Sequence, residues 1–83
     1  MQEVRFGKYK HYKGEKEYEV IGVARHSETL EELVVYRALY NSQEFGNNSL
    51  WVRPKTMFLE YVEIQEDGTT NRVPRFKFEG ESI

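Results

Sequence analysis

A strand pattern is clearest in the octapeptide Leu33-Val34-Val35-Tyr36-Arg37-Ala38-Leu39-Tyr40. Branched and aromatic side chains of this kind favour the extended backbone of a β-strand. Successive side chains of a strand point to opposite faces of a sheet, which puts on one face Val34, Tyr36, Ala38 and Tyr40. The other face carries three apolar residues and one charge, Arg37. The octapeptide therefore predicts the central strand of the fold.

Shorter segments of similar composition lie on both sides of this octapeptide. They predict strands at residues 7–13, 17–25, 50–53, 58–65 and 72–78. In the second of these, simple alternation puts Val20 and Val23 on opposite faces, and Gly22 is expected to allow a sharp bend. Asp67-Gly68 is a strong hairpin signal. Pro74 marks the last strand as an edge, because proline cannot donate to a ladder.

The segments between these strands predict turns. Residues 26–32 contain a Ser/Thr-x-x-Glu box that begins at Thr29, so we expect a turn capped by a Ser or Thr hydroxyl. Residues 41–49 are expected to form a polar loop, and Pro54 to Met57 a single 3₁₀ turn. The tail from Gly80 is expected to fray.

This order of elements is typical of an all-β domain. Eighty-three residues are enough for one domain and too few for two, so we assign residues 1–83 to a single domain, ordered over about residues 4–78. Five or six short antiparallel strands with a capped turn and one 3₁₀ turn predict a small SH3-like barrel or roll. An open two-layer sheet and an α+β roll stay open as alternatives.

Charge and composition limit the kinds of binding partner and the cell compartment that we expect for this chain. The chain carries 12 basic and 14 acidic residues, a net charge of −2, so it offers no overall attraction to nucleic acid or to an anionic membrane. Its apolar runs are far shorter than a membrane span. The absence of cysteine and of a signal-peptide pattern favours the cytoplasm.

Neither a cofactor nor a metal site is indicated. The two histidines, His11 and His26, show no metal-ligand spacing, and the six glycines are scattered singly rather than grouped in a phosphate loop. His26 adjoins Ser27, but neighbours on an extended chain point to opposite faces, and no Gly-x-Ser-x-Gly elbow surrounds the serine. A capping role is favoured here over a ligand-contacting loop, and catalysis comes last. We therefore predict no catalytic residue.

Several blocks of the sequence carry a family resemblance. They are GKYKHYKG at residues 7–14, YEV at 18–20, ARHSET at 24–29, LVVYR at 33–37, LWVRP at 50–54 and MF at 57–58. Over about residues 7–78 the chain resembles a small bacterial family known as domain of unknown function 1653. The resemblance implies an SH3-type β-barrel or roll. It implies no activity, so the candidate residues rest on their own chemistry.

Seven side chains are candidates for ligand binding: Tyr12, Arg25, His26, Glu28, Arg37, Trp51 and Arg53. Trp51 and Arg53 share one side of their strand, and both residue types are favoured at binding hot spots when exposed. Together with Tyr36 and Tyr40, and with Tyr12 or Tyr9 near, they suggest the aromatic groove that SH3-like barrels use for extended peptides. The alternative interpretation, in which Trp51 is the centre of a thin core, stands about even.

Arg37 also has two interpretations, because it lies in an otherwise apolar row. If that row packs inside, the guanidinium needs a carboxylate partner, and the natural candidates are Glu19, Glu28 and Glu60. If the row faces solvent, Arg37 is an anion clamp. We favour the ion pair.

The leading functional hypothesis is a non-enzymatic binding module for an anionic small molecule or an acidic peptide. The alternative is single-stranded nucleic-acid binding through the interleaved Lys and Tyr side chains of residues 8–13, although the net charge disfavours it. A small hydrolase is a more distant third. We expect no membrane partner, and a monomer or weak dimer.

Overall fold

The computed structural model describes residues 4–14 and 16–81. Its elements, in chain order, are β1 (Gly7–His11), β2 (Glu17–Arg25), β3 (Glu32–Ala38), β4 (Asn41–Ser42), β5 (Gly46–Asn47), β6 (Leu50–Pro54), α1 (Lys55–Phe58), β7 (Tyr61–Glu66), β8 (Thr69–Pro74) and β9 (Phe76–Gly80). The prediction of an all-β fold is confirmed. Within the described residues, no helix is long and apolar enough to cross a bilayer.

Five antiparallel strands form the main sheet, in the order β6-β3-β2-β1-β9. The pairs β4–β5 and β7–β8 form two small sheets of their own. The central strand is therefore β2. The prediction from the octapeptide, which made β3 the central strand, is wrong. In the described part of the chain no ladder joins the two edges, β6 and β9, so closure into an SH3-like barrel stays a prediction.

A β-bulge interrupts the alternation of β2. The register to β3 shifts between Val20 and Gly22, so Ile21 is the extra residue. A bulge bends the strand and changes the face that each following side chain takes. As a result Val23 lies opposite the fully buried Val34 and on the same face as Val20. Simple alternation predicted opposite faces for these two valines. The irregularity of β2 is thus a bulge at Ile21, next to Gly22, where a bend was predicted.

The core lies against one face of the main sheet, which we call the inner face. Val34 and Tyr36 of β3 and Val20 of β2 are buried on it. Phe58, the last residue of α1, covers these residues and stacks on Phe76 of β9, with ring centroids 4.3 Å apart. Aromatic rings thus supply much of the buried apolar surface that a chain of this size needs.

Two connections differ from those predicted, and a third agrees. The turn expected at residues 54–57 is one turn of α-helix, α1, which includes Phe58 from the strand predicted to follow. Residues 41–49 contain the small hairpin of β4 and β5 rather than an irregular loop. The Asp67-Gly68 hairpin is confirmed, since both residues have positive φ, 49° and 77°, as a type I′ turn requires.

The last predicted strand is divided in two at Arg75. Pro74 ends the pairing of β8 with β7, and the Arg75 N–H donates to the Glu60 carbonyl at 2.9 Å. The chain then crosses to the edge of the main sheet as β9. This strand continues through Gly80, where fraying was predicted, and residues 82–83 lie outside the described part of the chain.

Candidate functional site

Three of the predicted site residues belong to the turn between β2 and β3. The Nδ1 atom of His26 accepts hydrogen bonds from the N–H groups of Glu28 and Thr29, at 3.1 and 3.3 Å. Arg25 Nη1 donates to the Leu30 carbonyl at 2.8 Å. The segment is a capped turn as predicted, with Thr29 Oγ1 accepting one further N–H, although the imidazole is the main cap. These side chains stabilise the turn and lie apart from the other candidates.

Arg37 lies on the outer face of β3 and forms an ion pair across the sheet. Its Nε atom is 2.8 Å from Oε1 of Glu19, which lies directly opposite on β2. Glu19 is one of the three partners named from the sequence. The ion pair favoured from the sequence is therefore present, and the carboxylate offsets the charge of Arg37.

Trp51 and Arg53 share one side of β6, as alternation predicted, and the structure shows that this is the inner side. The register places Trp51 opposite the buried Tyr36 of β3. Trp51 is 36% exposed, and its ring packs edge-on against Phe45, with ring centroids 5.0 Å apart. Trp51 is therefore at the rim of the core, and the interpretation that made it the core centre is wrong.

Arg53 extends from β6 over the aromatic rings of the inner face. Its Cζ atom lies 5.4 Å from the centroid of the Phe76 ring. The side chain is half-buried, and the five ion pairs within the described residues leave it without a carboxylate partner. A guanidinium over a ring face keeps its N–H groups at the edge, where they are able to donate to an anion.

Two tyrosines pack against Tyr18, which lies near this guanidinium. Tyr18 packs edge-on against Tyr36 and Tyr40, with ring centroids 5.4 and 5.6 Å apart. The hydroxyl oxygens of Tyr18 and Tyr40 are 3.0 Å apart. Burial, reinforced by the Tyr40 hydroxyl, raises the pKa of Tyr18, whereas the nearby Arg53 charge acts weakly in the opposite direction. Tyr18 therefore keeps its proton and stays a neutral hydrogen-bonding group.

His11, at the end of β1, completes this group. Its ring lies 4.9 Å from the ring centroids of both Tyr12 and Phe76. Burial lowers the pKa of His11, a backbone carbonyl partly offsets this effect, and the charge of Arg53 lowers it further. We call His11, Tyr18, Tyr40, Arg53 and Phe76 the arginine–aromatic cluster. Of these residues, only Arg53 was a predicted site residue, and the exposed Tyr12 borders the cluster.

The other members of the cluster were missed because they come from four different strands or loops. Their positions on the inner face follow from the register of β1, β2 and β9, which the sequence does not state. One signal was available, since Tyr18 shares its face with Val20 in the strand pattern. A cleft of about 310 Å³ adjoins the cluster at His11 and is also lined by Lys10, Tyr12, Val73, Pro74 and Lys77.

The Lys and Tyr side chains of residues 8–13 do not form a continuous stacking surface. Tyr9 is buried in the core. Lys8 and Lys10 each form an ion pair with a glutamate of a neighbouring strand, at 3.2 and 3.7 Å. Tyr12 is the one exposed tyrosine of the segment, so single-stranded nucleic-acid binding gains no support from this geometry.

Comparison with known proteins agrees with the fold and the sequence blocks. No curated protein matches the chain. The crystal structure of a DUF1653 protein from Bordetella bronchiseptica is similar, with 34% identity, coverage of 100% of this chain and 96% of that chain, and a TM-score of 0.80. The family described as "Protein of unknown function (DUF1653)" matches residues 7–78. The chain therefore belongs to the DUF1653 family, as its sequence blocks predicted.

Proposed function

We propose that the protein is a non-enzymatic binding module and that its arginine–aromatic cluster holds an anionic ligand. One observation carries this proposal. Arg53 is half-buried over Phe76 and has no carboxylate partner in the described residues, whereas its counterpart on the next strand, Arg37, is neutralised. A half-buried cation without a counter-charge is costly, and an anionic ligand would remove that cost.

The chemistry around Arg53 suits a small carboxylate or phosphate group. A guanidinium presents paired N–H donors that match two oxygens of such a group. The Tyr18 and Tyr40 hydroxyls add neutral hydrogen-bonding groups, and Trp51 at the rim adds an exposed ring surface. A small molecule that combines an anionic group with an apolar part fits this arrangement, as does an acidic side chain of an extended peptide.

A hydrolytic role has less support. His26 Nδ1 is engaged with two backbone N–H groups of its turn, and His11 is packed between aromatic rings. General base catalysis needs an imidazole nitrogen within reach of the proton that it removes. Neither histidine combines with a serine hydroxyl in the hydrogen bonds of the described residues.

The proposal is tested by NMR titration of the protein with inorganic phosphate, citrate and a penta-glutamate peptide at low salt. We expect at least one of these probes to shift the signals of His11, Tyr18 and the Trp51 indole. Arg53→Gln removes the charge at similar length, and it should weaken that binding by about tenfold or more, the value of a charge-assisted hydrogen bond.

Arg37→Gln is the matched control, since it removes the same charge from the outer face and should leave the binding unchanged. If none of the three probes shifts the cluster signals, or if Arg53→Gln binds as tightly as the wild-type chain, the cluster is not an anion site.

A further inference from the structure

β6 is an edge of the main sheet, and its residues 50–52 carry none of the charges or prolines that usually protect an edge. In the described residues it pairs with β3 on one side and with no strand on the other. Proteins usually protect such an edge with lysines, bulges or a covering segment, because its unpaired N–H and C=O groups attract further strands. The β3–β6 register runs without a bulge, and Leu50 and Val52 are 63% and 59% exposed.

The hydrogen bonds of β6 show which backbone groups are unpaired. The Ala38 N–H donates to the carbonyl of Ser49, the residue before β6, at 2.9 Å. Hydrogen-bonded pairs alternate along an antiparallel ladder, so Trp51 bonds to β3, while Leu50 and Val52 direct their N–H and C=O groups away from it. The edge therefore offers two donors and two acceptors, placed symmetrically about Trp51.

We propose that β6 pairs with β6 of a second copy of this chain, antiparallel about a two-fold axis at Trp51. Leu50 of each copy then lies opposite Val52 of the other, and four N–H···O=C bonds form. A register that set Leu50 opposite Pro54 would leave both Leu50 carbonyls without a donor, because proline has no N–H. The axis at Trp51 pairs every outward-directed group of residues 50–52.

Charge and side-chain contacts favour a second copy as the occupant. The one charge of β6, Arg53, falls opposite the neutral Ser49 of the other copy, so the two-fold axis brings no like charges together. The two Trp51 rings meet in a non-hydrogen-bonded pair, where side chains approach most closely and aromatic pairs are stabilising. Leu50 and Val52 are exposed on the outer face, so the symmetric pair removes apolar surface from water.

The size of the contact sets the expected affinity. One short strand per copy covers much less than the roughly 1,600 Å² of a standard interface. The dimer should therefore be weak, with a Kd in the micromolar range or above, and its population should depend on concentration. This contact lies on the backbone edge of β6, so it does not require that the arginine–aromatic cluster bind an anion.

Sedimentation velocity of the full chain from about 10 µM to about 1 mM tests the pairing. We expect the wild-type chain to shift from monomer to dimer over this range. Val52→Lys puts a charge at the paired edge and should weaken dimerisation by at least about tenfold. Met57→Lys is the matched control, because it replaces an exposed apolar side chain outside the paired residues 49–53, and it should dimerise like the wild type.

Amide hydrogen exchange of the wild-type chain tests the same contact without a substitution. At low concentration the N–H groups of Leu50 and Val52 should exchange rapidly, whereas that of Trp51 is protected by β3. At high concentration all three should be protected. A wild-type chain that stays monomeric at about 1 mM, undiminished dimerisation of Val52→Lys, or a dimer in which Leu50 and Val52 stay unprotected would each overturn the proposal.

Discussion

Arg37 and Arg53 show how the face of a strand decides what an arginine does. Arg37 points to the outer face and meets Glu19 at 2.8 Å, across one strand pair. Arg53 points inward over Phe76, at 5.4 Å, and meets no carboxylate in the described residues. Alternation along each strand predicted which neighbours share a face with each arginine, but not which of the two faces is the inner one. The partner of each arginine depends on the register between strands, which sequence alone did not supply.

His11 should make the stability of the protein depend on pH. Burial lowers its folded-state pKa below the ordinary value of 6.5, so at acidic pH the unfolded chain binds a proton more readily than the folded chain. The stabilising contribution is present above about pH 6.5 and is lost as the pH falls through the lowered folded-state pKa. Urea unfolding at about pH 7.5 and about pH 5.5 should show a lower free energy of unfolding at the acidic pH.

The variant His11→Gln isolates this contribution, because glutamine does not titrate. Its free energy of unfolding should change less between the two pH values than that of the wild-type chain. Equal losses in the two proteins would show that the acid sensitivity comes from other groups.

At the scale of elements, β1 and β9 approach so closely that one residue limits their pairing. Gly7 is buried, with φ of +138°, and a Cβ atom there would meet the Gly80 carbonyl oxygen and Cα of Glu81 at 2.9 Å. Gly7→Ala should lower the free energy of unfolding by about 2 to 4 kcal/mol, through overpacking and backbone strain. Urea unfolding at neutral pH measures this loss.

Gly22→Ala is the control for that substitution. Gly22 lies beside the bulge of β2, where a Cβ atom would meet nothing within 4 Å, so the change should stay within about 1 kcal/mol. Similar losses at the two glycines would contradict the close approach of β1 and β9.

The elements also show where local sequence is sufficient. The bounds of β2, the capped turn after it and the Asp67-Gly68 hairpin were all predictable, because each depends on neighbouring residues. The bulge at Ile21 was not predictable, because it is a mismatch of register with β3. α1 was predicted as a 3₁₀ turn. One turn of α-helix and one turn of 3₁₀ helix differ by little in local energy, so local sequence does not distinguish them.

At the scale of the whole molecule, stability depends on a few rings that join distant segments. Phe58 is 1% exposed, and it joins α1 to β1, β3 and β9 through contacts with Tyr9, Tyr36 and Phe76. A chain of this length has a free energy of unfolding of roughly 4 to 12 kcal/mol. One such ring is therefore a large share of the total.

Phe58→Ala should lower the free energy of unfolding by about 3 to 5 kcal/mol, measured by chemical denaturation. Phe45→Ala removes the same atoms from a residue that is 56% exposed, and its loss should stay below about 1.5 kcal/mol. If both variants lose the same free energy, the core is not centred on Phe58.

The sequence by itself determined the all-β class, the family, most strand positions and the fact that Trp51 and Arg53 share one side of their strand. Those properties follow from side-chain alternation, turn residues and short sequence blocks typical of the family. The tertiary structure decided that β2 is central, that Glu19 offsets the charge of Arg37, and that Arg53 lies near His11 and Tyr18. These outcomes required the structure because they depend on which strands pair and in which register, a long-range choice made by packing of the whole core.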